Sequence, residues 1–202
     1  MTASSGRQSP RVDRREARKQ QTRRAIQEHA LRLFLADGYE ATTVERIAEA
    51  AGVSHMTFFR HFPTKESVVA DDDYDPLIAR LVRDRPAGEP PLTAIQRALV
   101  DALRAMPAAE HGVLRVRTRL LLQTPALRAR VWENQFTTQE LFAAALAARE
   151  RGDEAGDPGL RLRVLAGTAL AALTTALSTW VAAPEHIALP DLIDEAFAAL
   201  QP

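Results

Sequence analysis

The apolar positions of this chain recur with the spacing of a helix from end to end. Ile26, Ala30, Leu33 and Phe34 fall at i, i+4, i+7 and i+8, and Asp37-Gly38 closes the run. In "ATTVERIAEAAG", Val44, Ile47, Ala48 and Ala51 share one face, Thr42 with Glu45 forms a capping box, and Gly52 supplies the stop. After Val53, Ser54 can cap a third helix that runs to Phe62 before Pro63. Thr64 can cap a fourth, from about Lys65 to about Arg85, bending near Pro76. Past the break "RPAGEPP" (85–91), helices are predicted at about 92–106, 111–123 and 126–150. The loop "RGDEAGDPG" (151–159) precedes a long helix at about 160–182. "APEHIALP" interrupts, and 190–200 closes the chain with Leu192, Ile193, Ala196, Phe197 and Leu200 on one face.

No alternating Val/Ile/Thr run reads as a strand. The pattern therefore predicts an all-α chain of about nine helices. Residues 1–13, rich in Ser, Gly and Arg, read as a disordered basic arm. Residues 14–67 form a small helical unit, and 68–202 a larger helical domain.

Composition agrees and narrows the function. Of 202 residues, 46 % are hydrophobic but only 5 % aromatic, so Ala, Leu and Val must build the core. With no cysteine, disulfides and thiolate metal sites are excluded. No N-terminal segment resembles a signal peptide. The longest apolar stretch, 164–183, is interrupted by threonines, a serine and a glycine, so a soluble, cytoplasmic protein is expected. The net charge is zero, but it is unevenly spread. Residues 1–67 carry twelve basic and eight acidic side chains, a local +4, and 68–202 carry fourteen against eighteen. A basic end beside an acidic remainder suits a protein that meets a polyanion with one end.

Two short helices, 43–51 and 54–61, separated by a turn containing Gly52, form a helix-turn-helix pattern whose second helix enters the DNA major groove. Phe58 and Phe62, at i and i+4, share one face and with Val53 should pack on Ile47, Leu33 and Phe34. Met56, Thr57 and Arg60 point largely the other way, with His55, Phe59 and His61 toward the flanks. Arg60 can bind guanine or phosphate, Thr57 can donate to either, and Met56 can touch a thymine methyl. Lys65 places a cation at the N-terminus of the next helix, where backbone N–H groups favour phosphate.

"ATTVERIAEAAGVSHMTFFRHFPTKESVV" resembles the signature of TetR-family transcriptional regulators, and "RRAIQEHALRLFLADGYEATT" extends the likeness back through the first helix. The resemblance implies that Thr43, His55, Thr57, Phe59 and His61 face DNA, that Ser54 opens the reading helix among them, and that Lys65 meets a phosphate. Phe59 departs from the tyrosine often found there and lacks the hydroxyl that would bind phosphate.

In the second domain, Gly167, Ala171, Thr174, Leu177 and Ser178 place small and apolar residues on adjoining faces of one helix, and Phe197 lies on the apolar face of the last. TetR-like proteins pair their last two helices between subunits, so these residues are expected at a homodimer interface. A ligand site is expected where polar groups interrupt the apolar bundle. Met106, Arg115, Arg119, Trp132, Gln135 and Phe136 are its candidates. "VVADDDYDPL" and "RTRLLLQTPALRARVWENQ" also resemble regulators of the mycofactocin type, which implies an acyl-CoA-like or other long apolar effector.

The expected protein is a dimeric, ligand-responsive regulator, most simply a repressor, with double-stranded operator DNA and a small effector as partners. No cofactor is expected. The alternative is an architectural DNA-binding protein without an effector. An enzyme has little support: there is no Gly-rich phosphate loop, and His29, His55, His61, His111 and His186 show no metal-ligand spacing, although His111 and His186 can meet in space. The acidic run "DDDYD" (71–75) reads as solvated rather than metal-binding.

Overall fold

The computed structural model describes residues 10–71, 74–152 and 156–200, and the predicted arm at 1–9 lies outside them. Ten helices and no strand occur among the described residues. They divide into a first unit ending at Val69 and a second beginning at Ala70.

The first unit contains α1 (Pro10–Asp37), α2 (Val44–Ala50), α3 (His55–His61) and the start of α4 (Lys65–Ala70). α1 begins four residues before the expected Arg14; Pro10 suits a first helical turn, where no intrahelical N–H bond is lost. Ile26, Ala30, Phe34, Ile47, Phe58 and Phe62 fill the core, and Leu33 and Val53 are only half-buried. The cap of α2 is Thr43, not Thr42. Thr43 Oγ1 accepts from the Arg46 N–H at 3.3 Å, while buried Thr42 donates its hydroxyl to the Gly38 carbonyl at 2.8 Å. Of two adjacent threonines, the one folded inward spends its hydroxyl on the α1 terminus and leaves the cap to its neighbour.

Gly52, at φ 65°, takes the left-handed turn that stops α2. Ser54 then caps α3, accepting from the Thr57 N–H at 3.1 Å. Thr64 and Ser67 exchange side-chain and backbone hydrogen bonds, both at 3.2 Å, to open α4.

Where one helix was predicted over 65–85, there are two: α4 stops at Ala70 and α5 (Tyr74–Arg83) follows. The Ala70 carbonyl accepts from Arg117 Nη2 at 3.2 Å and Asn134 Nδ2 at 3.3 Å, which substitute for continued helix. Asp72 and Asp73 lie outside the described residues; Asp75 accepts a hydrogen bond from Thr138, and no cluster able to hold a metal occurs among the described residues.

The second unit comprises α5, α6 (Pro91–Ala105), α7 (Ala108–Gln123), α8 (Pro125–Arg151), α9 (Gly159–Ala182) and α10 (Leu189–Ala198). α9 packs on α6, α7, α8 and α10, burying Leu162, Ala166, Leu170 and Trp180. Against them lie Phe142 and Leu146 of α8, Ile95 and Leu99 of α6, and Ile193 and Phe197 of α10. Each large side chain so buried is worth roughly 1.5–3 kcal/mol relative to exposure.

By length and composition α9 is apolar enough to cross a membrane, contrary to the expectation from its threonines and glycine. Its buried face belongs to the core of this unit, and its outer face carries Leu160 and Val164, both well exposed. A helix apolar on two sides has an inner face with a partner and an outer face without one.

Candidate DNA-reading surface and ligand cavity

α3 is fixed from behind. Phe58 and Phe62 are fully buried, their rings 6.1 Å apart, and the Arg23 guanidinium of α1 lies 4.1 Å over the Phe62 ring. Arg23 Nη1 also donates to the His61 carbonyl at 2.8 Å, satisfying one of the terminal carbonyls of α3. Pinned this way, the helix turns its other faces outward.

Met56 is 72 % exposed and Phe59 39 %, and Arg60 is exposed beside them. Phe59 stands edge-on to His55 at 4.7 Å and to Phe58 at 5.4 Å, so its ring is held although it has no hydroxyl to anchor it. His55 Nε2 is also 3.3 Å from Glu45 Oε1. The hydroxyls of Ser54 and Thr57 lie 2.9 Å apart at the helix start, and Thr43 is exposed at the start of α2.

His61 is half-buried. Its Nδ1 is enclosed without a partner among the described residues, and burial together with the charges of Arg23, Lys19 and Arg60 pushes its pKa down. Three cations around one imidazole form a positive field at the end of α3. Sequence reasoning missed Arg23 and Lys19 as individuals, although their i, i+4 spacing on a helix was a usable signal.

Lys65 differs from its expected role. Its Nζ donates to the carbonyls of Tyr39 at 2.9 Å and Thr42 at 3.2 Å and sits 4.1 Å over the Tyr39 ring. Two of its three N–H bonds therefore hold the turn before Thr43, leaving one for a phosphate. Tyr39 in turn donates to Glu66 Oε1 at 2.8 Å; burial and that carboxylate push its phenol pKa up.

With this geometry the comparisons have a context. Residues 26–71 match the family described as bacterial regulatory proteins, tetR family, and residues 89–202 match the MftR C-terminal domain. The chain belongs to the tetR family. It is 37 % identical over 146 residues to the transcriptional regulator TcmR of Streptomyces glaucescens, covering 69 % of this chain and 65 % of that regulator, just under two thirds of its length. It is 27 % identical over 190 residues, 93 % of each chain, to the Mycobacterium tuberculosis protein MftR, named for regulation of mycofactocin biosynthesis. Among solved structures it is similar to Thermus thermophilus FadR, a repressor captured with lauroyl-CoA, with a TM-score of 0.51, 26 % identity and coverage of 88 % of this chain and 92 % of that one.

The second unit of this tetR-family protein contains a cavity of about 480 Å³ where the end of α6, the first half of α7 and the α9–α10 connection meet. Of the predicted ligand residues, Arg115 lines it. Met106 packs against the core, Arg119 and Phe136 are exposed, and Gln135 is half-buried on α8. The side chain of Trp132 lies outside the described residues.

Neighbouring polar residues of α8 hold helices together: Asn134 donates to the Ala70 carbonyl, Thr138 bonds Asp75, and Gln139 donates to the Arg163 carbonyl at 2.9 Å. His111 and His186, noticed in the sequence only as histidines able to meet, both line the cavity. The i, i+4 pair His111/Arg115 was the signal for it.

Of the predicted interface residues, Ala171 and Ser178 are exposed on α9, and Thr174 and Leu177 are half-buried. Gly167 faces α8, where an added Cβ would come 3.0 Å from Gln139 Nε2. Phe197 corrects the expectation: at 1 % exposure it belongs to its own chain's core, because α10 turns its apolar face onto α6 and α9.

Proposed function

We propose that this tetR-family protein is a ligand-responsive transcriptional repressor that binds a palindromic operator as a homodimer and is released by a small-molecule effector. The observation that carries this reading is α3, held by buried Phe58 and Phe62 and presenting Met56, Thr57, Phe59 and Arg60 next to the cations around His61. An outward Met, Thr and Arg can read base edges, while the adjacent cations neutralise phosphates. Ser54, His55, Thr43 and the remaining N–H of Lys65 complete the contact surface.

The outer face of α9, with Leu160, Val164, Ala171, Thr175 and Ser178 exposed, supports a close helix pairing across a two-fold axis. Such a dimer places its two reading helices ~34–36 Å apart, one turn of DNA. The protein acts where its DNA lies, in the cytoplasm. Effector binding in the second unit favours a dimer whose reading helices no longer match that spacing. Tenfold derepression requires the effector to favour the released state by about 1.4 kcal/mol. Resemblance to MftR over the C-terminal domain, and to a FadR solved with lauroyl-CoA, supports an acyl-CoA or other long apolar effector.

Binding of the purified protein to DNA upstream of its own gene, compared with shuffled DNA at physiological salt, tests the proposal. A repressor prefers the native fragment by at least about a thousandfold. Equal affinities would instead identify an architectural protein.

A further inference from the structure

We propose that the cavity between α6, α7 and the α9–α10 connection binds a compact organic anion with an apolar body, and that Arg115 relays its arrival to α9 and α10. The relay rests on the repressor reading above; the binding does not.

Size comes first. At the roughly 30 Å³ a water molecule occupies in the liquid, 480 Å³ holds about sixteen such volumes. That suits a ligand of one or two fused rings rather than an enclosed nucleotide thioester. Chemistry follows from the two sides of the lining. Leu103, Leu114, Trp180 and Leu189 offer an apolar side, and Arg104, Arg115, His111 and His186 supply cations and N–H donors against the single carboxylate of Glu185. The imbalance favours an anion.

Arg115 gives the site its consequence. Its Nη2 donates to the Trp180 carbonyl at 2.9 Å and also to the Ala183 carbonyl, so one guanidinium closes the C-terminus of α9. The same group lies 5.3 Å from the Trp180 ring centre, and its Nε is enclosed with no partner among the described residues. Trp180 Nε1 donates to the Ile187 carbonyl at 3.1 Å, tying the connection to the same point.

A carboxylate is a stronger acceptor for guanidinium than a neutral carbonyl. An anion entering the cavity therefore draws Arg115 from the carbonyls of residues 180 and 183. It thereby loosens residues 183–188, the link between the two helices that the proposed dimer uses.

The test uses the full chain and two matched probes, 1-naphthoate and its neutral analogue 1-naphthamide, titrated by calorimetry without DNA. The acid should bind at least tenfold tighter than the amide, and Arg115→Gln should erase that difference. Gly112→Trp should weaken both probes at least tenfold. Gly112 lines the cavity on α7, and an added Cβ there meets nothing within 4 Å, so this variant folds even if Arg115→Gln does not. Amide exchange at residues 183–188 should accelerate when the acid binds. Equal affinity for acid and amide, or indifference to Gly112→Trp, would overturn the site. Binding with unchanged exchange would overturn the relay. A protein that takes the acid but never prefers native upstream DNA would refute the repressor reading and leave the cavity assignment standing.

Discussion

Replacing Lys65 with Met separates two roles that a lysine at the start of α4 can have. Methionine keeps most of the stem's length and apolar bulk and removes only the ammonium. Its loss leaves the carbonyls of Tyr39 and Thr42 without their donors at 2.9 and 3.2 Å and uncovers the Tyr39 ring face. Charge-assisted hydrogen bonds are worth roughly 1.5–3 kcal/mol each. The two share one half-buried donor, water can replace part of what is lost, and the two do not add fully. A net cost of about 2–3 kcal/mol follows, concentrated in the turn that presents Thr43. Residue-resolved hydrogen exchange on the full chain measures it, through the opening free energies of amides 39–47. The salt dependence of operator binding gives the second role: one lost phosphate contact lowers the slope of log K against log salt by about 0.9. If those amides in Lys65→Met exchange as in the parent protein while the slope falls by that amount, Lys65 serves DNA alone and the reasoning is refuted.

Other outcomes test neighbouring links. Phe58→Ala should destabilise the first unit by about 3–5 kcal/mol and abolish operator binding, checked by exchange protection of α1–α3. The depressed pKa of His61 means that the unfolded chain takes up a proton before the folded one. The first unit should therefore lose stability as pH falls from the ordinary histidine value toward the depressed one, and His61→Gln should flatten that dependence in pH-dependent melts. In the second unit Glu89 binds both Arg85 and Arg97, and Arg149 Nη2 donates to its backbone carbonyl at 2.7 Å. Glu89→Gln should cost roughly 3 kcal/mol. Arg85, and after it Arg97, hold the Glu89 carboxyl below its usual range, so this contribution is present above the ordinary glutamate value and lost as pH falls through the folded one. Melts of Glu89→Gln against the parent at neutral and acid pH check both points.

The reading head was legible because its determinants are local. Gly52 at a left-handed turn, Ser54 as a cap, and Phe58 and Phe62 at i and i+4 each specify their own geometry within a few residues. What was misjudged depended on distant partners. Thr42 and Thr43 cannot be told apart until the α1 terminus shows which hydroxyl turns inward. Lys65 reads as a phosphate contact until the carbonyls of Tyr39 and Thr42 appear beside it. Phe197 satisfies the periodicity of an interface and of a core equally well, and only the packing of α10 on α6 and α9 decides. The polar residues of α8 look like a ligand wall in sequence, yet Asn134 and Gln139 are spent on backbone carbonyls of other helices. The cavity itself joins Leu103 to Pro190, a separation that no local pattern spans.

The central claim is that two copies present α3 to one face of a palindromic operator. The direct measurement is the affinity of the full-length protein for its native upstream palindrome at about 0.15 M salt, before and after inserting about 5 bp between the half-sites. Half a helical turn rotates the second half-site to the opposite side of the duplex. The account predicts specific binding at least about a thousandfold above random DNA, collapsing to the random level on insertion. Undiminished affinity for the inserted site would contradict it.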